Sequence, residues 1–223
     1  MLTKLYYTIF RNKIFNWDPV MGDYQTRYAN KDRLKNVSTQ TFELLEEHLG
    51  SLDGKKVLDI GGGAGNYSFK FLEYGSEVTW TDISQNMMKI AQDNYIHLNM
   101  KNSKIEFYNI NPNYIEKIKG NFDLIFLRLT WLYTFNDKKF AIKILKKLKS
   151  NGFIYILTNN VSFKNEEHTF FDKLKIFLYL KMGIKIGHPH PPIGKLKTLF
   201  PGVQLKYYKI NESSEELLFQ KLI

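Results

Sequence analysis

The sequence predicts an α/β domain in three layers: a mostly parallel seven-stranded sheet between helices, ending in an antiparallel hairpin. Two patterns predict it. Short apolar runs at 56–60, 77–81, 104–108, 122–127 and 153–157 alternate with segments of helical spacing, as buried parallel strands joined by helical crossovers do. The tail departs from that alternation. Residues 203–210 and 216–222 read as two successive strands around the turn Asn211-Glu212-Ser213-Ser214, which makes a hairpin.

Each element has a local reason. An aromatic, basic lead-in (residues 1–37) carries Tyr6, Tyr7, Phe10, Trp17, Tyr24 and Tyr28 and is broken at Asp18-Pro19 and Met21-Gly22, where turns are favoured. Ser38 or Thr39 caps a helix bearing Phe42, Leu45 and Leu49, and Gly50 ends it. A helix from about Gly65 to Tyr74 follows the first strand, and Ser84 caps another after the second, with Met87, Met88, Ala91 and Tyr95. Residues 112–119 form a short helix closed by Gly120. Phe140, Ile144, Leu145 and Leu148 mark a longer one over 137–149. Asn151-Gly152 then turns the chain into the fifth strand. The core is thus 38–158, with 159–200 inserted before the hairpin of 201–223. Lead-in and insertion are both expected to cap the carboxyl ends of the strands.

Composition narrows the class. The 223 residues suit one domain, and 43% hydrophobic content supplies a full core. With no cysteine, disulfides and zinc–thiolate sites are excluded. The net charge of +10 comes largely from lysines on helix faces, such as Lys138, Lys139, Lys143 and Lys146, and reads as a solvated surface. With no arginine-rich run, no specific nucleic-acid partner is expected. No stretch reaches the roughly 20 apolar residues of a membrane span. No secretory signal is evident, so a cytoplasmic location is expected. A homodimer stays open.

The strand ends carry the chemistry. Four glycines within five residues (Gly61, Gly62, Gly63, Gly65) follow the first strand, so a ligand can lie against the main chain, facing the free N–H groups of the next helix. Counted from Gly61, the dinucleotide pattern Gly-x-Gly-x-x-Gly needs a glycine where the chain has Asn66. Asp59, two residues before the first glycine, suits a ligand with cationic groups better than a pyrophosphate. Asp82 follows Asp59 by 23 residues, at the tip of the second strand, where a carboxylate accepts hydrogen bonds from both hydroxyls of a ribose.

Asp59-x-Gly61-x-Gly63-x-Gly65, Asp82 at that distance, and the ordered strands and helices after it resemble the class I S-adenosylmethionine (SAM)-dependent methyltransferases, a seven-stranded Rossmann-like family. The resemblance covers about residues 38–160. It implies SAM as cofactor, S-adenosylhomocysteine as product, and methyl transfer to an oxygen or nitrogen of a small molecule. Other implied readings are methylation of RNA or protein, or a binding module that has lost the chemistry. It also implies residue roles. Gly61 and Gly63 meet the methionine part of SAM through backbone, Asp59 orients its amine, and Asp82 holds the ribose. Ile83 and Met87 flank the adenine, with core packing the other role open to Met87. Ile110 offers the adenine ring a backbone N–H. Asn111 stands where the family often has an acid for the adenine amine, and its amide oxygen can still accept. Backbone near Leu127 meets SAM. Tyr24, Arg27 and Tyr28 fold over the cofactor or pack.

The acceptor side is less defined. Arg128 either binds an acidic substrate or makes a structural salt bridge, and Trp131 and Tyr133 either line the acceptor pocket or pack. Asn111-Pro112-Asn113-Tyr114 resembles the Asn-Pro-Pro-Tyr signature of amino-methylating enzymes, but its third residue differs and it precedes the fourth strand, so it reads as a turn and helix start. In His188-Pro189-His190-Pro191-Pro192 the prolines hold the chain extended, with both histidines on one side. A rigid loop, a general base near neutral pH and a metal pair all fit that segment. The apolar content of the insertion (Phe163, Phe170, Phe171, Leu174, Phe177) implies a partly apolar acceptor beneath it.

Overall fold

Residue alternation along the strands builds two cores. Val57, Leu124, Phe126, Phe153 and Tyr155 face one side; Leu58, Ile60, Ile125, Leu127, Ile154 and Ile156 face the other, as the two-residue period of a strand requires. These strands are β1 (Lys56–Ile60), β2 (Glu77–Asp82), β3 (Ile105–Asn109), β4 (Phe122–Arg128) and β5 (Leu148–Asn159), and the closing hairpin is β6 (Val203–Ile210) and β7 (Ser214–Lys221). The sheet order is β3-β2-β1-β4-β5-β7-β6. β1 to β5 run parallel, and β7 is antiparallel to β5 and β6. The structure, a computed structural model, describes residues 18, 20, 22–30, 36–100, 103–160, 169–186 and 189–222.

The helices are α1 (Asp23–Ala29), α2 (Thr39–Leu49), α3 (Asn66–Glu73), α4 (Gln85–His97), α5 (Asp137–Lys147) and α6 (Phe170–Met182). α2, α3 and α4 cover the first face, with Phe42 set among Tyr67, Phe71 and Tyr74 at ring distances of 6.1, 4.9 and 5.1 Å. Phe126 stacks on its cross-strand partner Tyr155 at 4.7 Å. α5 covers the second face through Phe140, Ala141 and Ile144. The connections from β1 therefore leave toward β2 on one side while β4 lies on the other, and the crevice between the ends of β1 and β4 is where such sheets take a ligand.

Three boundaries differ from expectation. β5 begins at Leu148 and runs through Asn151 (φ 59°) and Gly152, because a register shift between the Phe122 and Leu124 pairings absorbs the turn. The short helix expected over 112–119 is a 3-10 helix that ends two residues earlier, over Pro112–Lys117, kinked at Tyr114. The last strand starts two residues earlier, at Ser214. Within the insertion, α6 presents Phe170, Phe171, Leu174 and Phe177 to solvent, not to the cavity described next. Phe163 lies outside the described residues.

Candidate active site

The ends of β1, β2 and β4 enclose a cavity of about 520 Å³, within the size range of small-ligand sites. Its floor is the turn after β1. Gly61 and Gly62 both donate backbone N–H to the Thr81 carbonyl, at 2.7 and 3.0 Å, which ties the turn to β2. Gly63 has φ 54°, and no atom lies within 4 Å of where its Cβ would stand. A side chain there would be strained and would project into the space a ligand uses.

Two carboxylates face this turn. Asp82 Oδ2 accepts from Gly63 N at 3.1 Å and Oδ1 from Ser84 N at 2.8 Å, so its orientation is set before any ligand arrives. Burial raises its pKa to about 6, the two backbone N–H groups partly oppose that, and Asp18 adds to it. Asp59 is buried, and its Oδ2 accepts from Ser68 Oγ at 2.6 Å. Burial raises it to about 7; the Ser68 hydrogen bond lowers it, Asp82 raises it and Arg128 lowers it. Among the lining residues only Arg128 is a lysine or arginine. The cavity thus suits a ligand with cationic groups and is poor for a pyrophosphate.

Ile83, Met87 and Ile110 line the cavity beside Asp82. Met87 is also part of the core beneath α4, so both of its roles hold at once. Two expectations at the adenine end are corrected. The Ile110 N–H already donates to the Asp82 carbonyl at 2.8 Å, leaving only its side chain to the cavity. The Asn111 side-chain oxygen accepts from Asn113 N and Nδ2, at 2.9 and 2.7 Å. It caps the 3-10 helix, and Asn111 does not line the cavity.

At the end of β4 the wall begins one residue later than expected. Leu127 is fully buried in the second core, while Arg128, Leu129, Thr130 and Tyr133 line the cavity. The Arg128 guanidinium lies over the Tyr67 ring at 4.9 Å; among the described residues it makes no ion pair. Trp131 is a further correction. It is fully buried, edge-on to Phe140 and Phe200, with Nε1 donating to Asp137 Oδ1 at 3.0 Å. It supports the wall from behind and does not form it.

The lead-in reaches the opposite rim. Asp18 accepts from Ser84 Oγ and Asn86 N, at 2.5 and 3.1 Å, fastening the chain to the first turn of α4. Val20 and Tyr28 line the cavity; Arg27 is exposed on α1 and does not. Tyr24 lies on α1, but its side chain is outside the described residues, as is His188. His190 is half-buried, its Nδ1 has no hydrogen-bond partner, and it does not line the cavity. Burial and the nearby Lys185 ammonium lower its pKa. Among the described residues no group of three His, Cys, Asp or Glu could hold a metal ion.

Thr130, Tyr67 and Leu129 are among the lining residues missed from sequence. Thr130 packs against the glycine turn so closely that a Cβ on Gly61 would stand 2.2 Å from its Oγ1, and Tyr67 backs Arg128; both are plain core or turn residues by pattern. Leu129 adopts φ 57°, a conformation that costs a non-glycine residue energy and often marks a ligand site. Nothing in the local sequence signals it.

A three-layer sheet of this order, with a glycine turn after β1 and a carboxylate at the end of β2, defines a Rossmann-like α/β fold. A model of the family described as "Methyltransferase domain" matches residues 57–152. The ubiquinone biosynthesis O-methyltransferase of Idiomarina loihiensis is 28% identical over 151 residues, which are 67% of this chain and 57% of that protein. Phosphoethanolamine N-methyltransferase 1 of Triticum aestivum is 32% identical over 54% of this chain and 24% of its own length. A SAM-dependent methyltransferase from Aquifex aeolicus superposes with a TM-score of 0.58 at 17% identity, covering 89% of this chain and 97% of that one; that likeness concerns the fold. Residues 57–152 thus match a methyltransferase-domain family, and the fold is that of the superposed structure. The chain spans under two thirds of the length of the first curated relatives it matches.

Proposed function

We propose that this protein transfers a methyl group from SAM to an oxygen or nitrogen of a small, partly apolar molecule. The observation that carries the reading is the pairing of Asp59 and Asp82 around the glycine turn, in a cavity whose one lining lysine or arginine is Arg128, after β4. Asp82, held by Gly63 and Ser84, accepts the two ribose hydroxyls. Backbone of Gly61–Gly63 lies along the methionine part, and Asp59 orients the amine. Ile83, Met87 and Ile110 pack the adenine. When bound, SAM supplies an electrophilic methyl carbon, to which an acceptor lone pair bonds as the carbon–sulfur bond breaks, leaving S-adenosylhomocysteine and a proton for the acceptor's surroundings.

The chain's own contribution is positioning and water exclusion. Tyr28 and Val20 close one rim. Arg128, Leu129 and Tyr133 form the acceptor end, whose mixture of aromatic, aliphatic and cationic groups suits an apolar molecule carrying a negative group. The relatives named for O- and N-methylation keep both acceptor atoms in view. His190 stands off the cavity wall, so the reading gives it no step. The test is transfer of labelled methyl from SAM to a panel of phenols, carboxylated aromatics and amines, with Arg128→Ala beside the wild type. Labelling of acidic aromatic acceptors, with KM raised about tenfold or more by Arg128→Ala, supports the reading. Labelling confined to highly polar, uncharged acceptors contradicts it.

A further inference from the structure

The strongest feature outside the cofactor site is the outward face of α6. Phe170, Leu174 and Phe177 are 76%, 42% and 53% exposed. Their spacing, with Lys181 next in series, places them on one helical stripe. Phe171 and Met182 flank it on one side, Leu180 and Lys173 on the other. Taking roughly 200 Å² for a large side chain, these six apolar groups expose on the order of 700 Å², above the largest patch of a typical monomer.

The face is held rigidly outward. Tyr179, on the opposite side of α6, is 1% exposed, and its hydroxyl donates to Asp137 Oδ2 at 2.6 Å. Gly183 N and Ile184 N turn back to the carbonyls of Tyr179 and Leu178, closing the helix end. Lys185 then enters the interior and donates to Asp137 Oδ1 and Thr134 Oγ1, both at 2.9 Å. The stripe therefore cannot roll inward without breaking this buried cluster.

Charge decides among the occupants. α6 carries Lys173, Lys175 and Lys181 against one acid, Asp172, and the chain's net charge is +10. A second copy docking through the same face would bring these lysines against their own equivalents. Its buried area would be about 1,400 Å² in total, in the lower part of the range for a stable dimer, so the like charges decide against it. Residues 1–17 carry Lys4, Arg11 and Lys13 and no acid, so their charge has the same sign as the helix. An anionic lipid surface satisfies both features: apolar side chains enter the headgroup–acyl boundary while lysines meet the headgroups. At 13 residues α6 cannot cross a bilayer, and no described helix is long and apolar enough to do so.

We infer that α6 docks this protein on anionic membrane surfaces, lying flat with Phe170, Leu174 and Phe177 inserted and Lys173 and Lys181 against the headgroups. The inference is independent of methyl transfer, since it rests on no residue of the cofactor cavity. The test is flotation of the full chain with phosphatidylcholine vesicles, with and without phosphatidylglycerol, at about 0.1 and about 0.5 M NaCl. Phe170→Ser/Phe177→Ser and Lys173→Glu/Lys181→Glu are run in parallel. These positions are exposed, and circular dichroism together with the sedimentation coefficient checks that each variant is folded. The expected result is binding that needs phosphatidylglycerol, weakens with salt, and falls about tenfold or more in either double variant. Four results overturn it: no flotation of the wild type, equal capture by neutral vesicles, undiminished binding by the folded phenylalanine variant, or a wild-type dimer that this variant dissociates.

Discussion

Replacing Asp137 by alanine should destabilise the fold by about 4 kcal/mol, because it takes the counter-charge from a buried ammonium. The Asp137 and Lys185 side chains are 5% and 1% exposed, and their charged atoms are 2.9 Å apart. Oδ1 also accepts from Trp131 Nε1, and Oδ2 accepts from Tyr179 and pairs with Lys195 at 3.1 Å. Removing the carboxylate costs Lys185 its acidic partner and takes the acceptor from Trp131, Tyr179 and Lys195. A buried pair broken on one side costs about 3–5 kcal/mol, a large part of the roughly 5–15 kcal/mol that holds a domain. Asp137→Asn keeps an acceptor and should cost roughly half as much. The assay is urea unfolding by fluorescence. With a slope of about 2–3 kcal/mol per M, the alanine midpoint should fall by about 1.5–2 M. A loss below about 1 kcal/mol would mean that water reaches the cluster and that it does not hold α6 in place.

The pH dependence of the same group has a definite sign. Burial would raise Asp137, but Lys185, the Tyr179 hydrogen bond and Lys195 outweigh it and hold the carboxyl at about 2. A depressed acid stabilises the fold above its ordinary value near 3.8 and loses that contribution as pH falls toward 2, so stability should drop by about 2 kcal/mol across this window in acid titration followed by circular dichroism. Asp59 and Asp82 act oppositely: with folded values of about 7 and about 6, the ligand-free fold should gain stability as pH falls from about 8 to about 5, while affinity for a cationic ligand falls at least about tenfold, measurable by calorimetry. In Gly62→Ala the new Cβ would stand 2.3 Å from Trp80 Cδ1 and 2.9 Å from Asp59 Oδ2. It should cost about 1–3 kcal/mol in thermal unfolding and weaken SAM binding. Leu129→Gly should relieve backbone strain and lower stability by less than Leu129→Ile, whose β-branch disfavours φ 57° further; a thermal scan of both orders them.

What local sequence encodes was legible, and what distant partners decide was not. The short apolar run of Val57, Leu58 and Ile60 located β1, and the two-residue period of the strand turns Asp59 to the same side as Val57 and α3. Ser84 announced α4 and does cap it, accepting from Met87 N at 3.0 Å. Asn111 misled because an amide after a strand can face a ligand or cap the next helix, and Pro112 with Asn113 favours the cap. Trp131 was open to a pocket role or to packing, and Asp137, six positions on, decides for packing by accepting its N–H in the core. The Asp137–Lys185 pair spans 48 positions, and no periodicity foretells that the insertion would fold back to α5. The apolar spacing of α6 was read as a lid for that reason: burial was expected of greasy residues, and one buried anchor, Tyr179, sets the helix with those residues outward.

In the proposed function Asp82 and the glycine turn bind SAM. Titrating SAM and S-adenosylhomocysteine into the purified full chain by calorimetry, alongside Asp82→Ala, tests it most directly. Both compounds should bind the wild type with micromolar affinity, and the variant should lose about 2 kcal/mol or more, as for removal of a charged hydrogen-bond acceptor. A folded wild type that binds neither compound, or a variant that binds as tightly as the wild type, would contradict it.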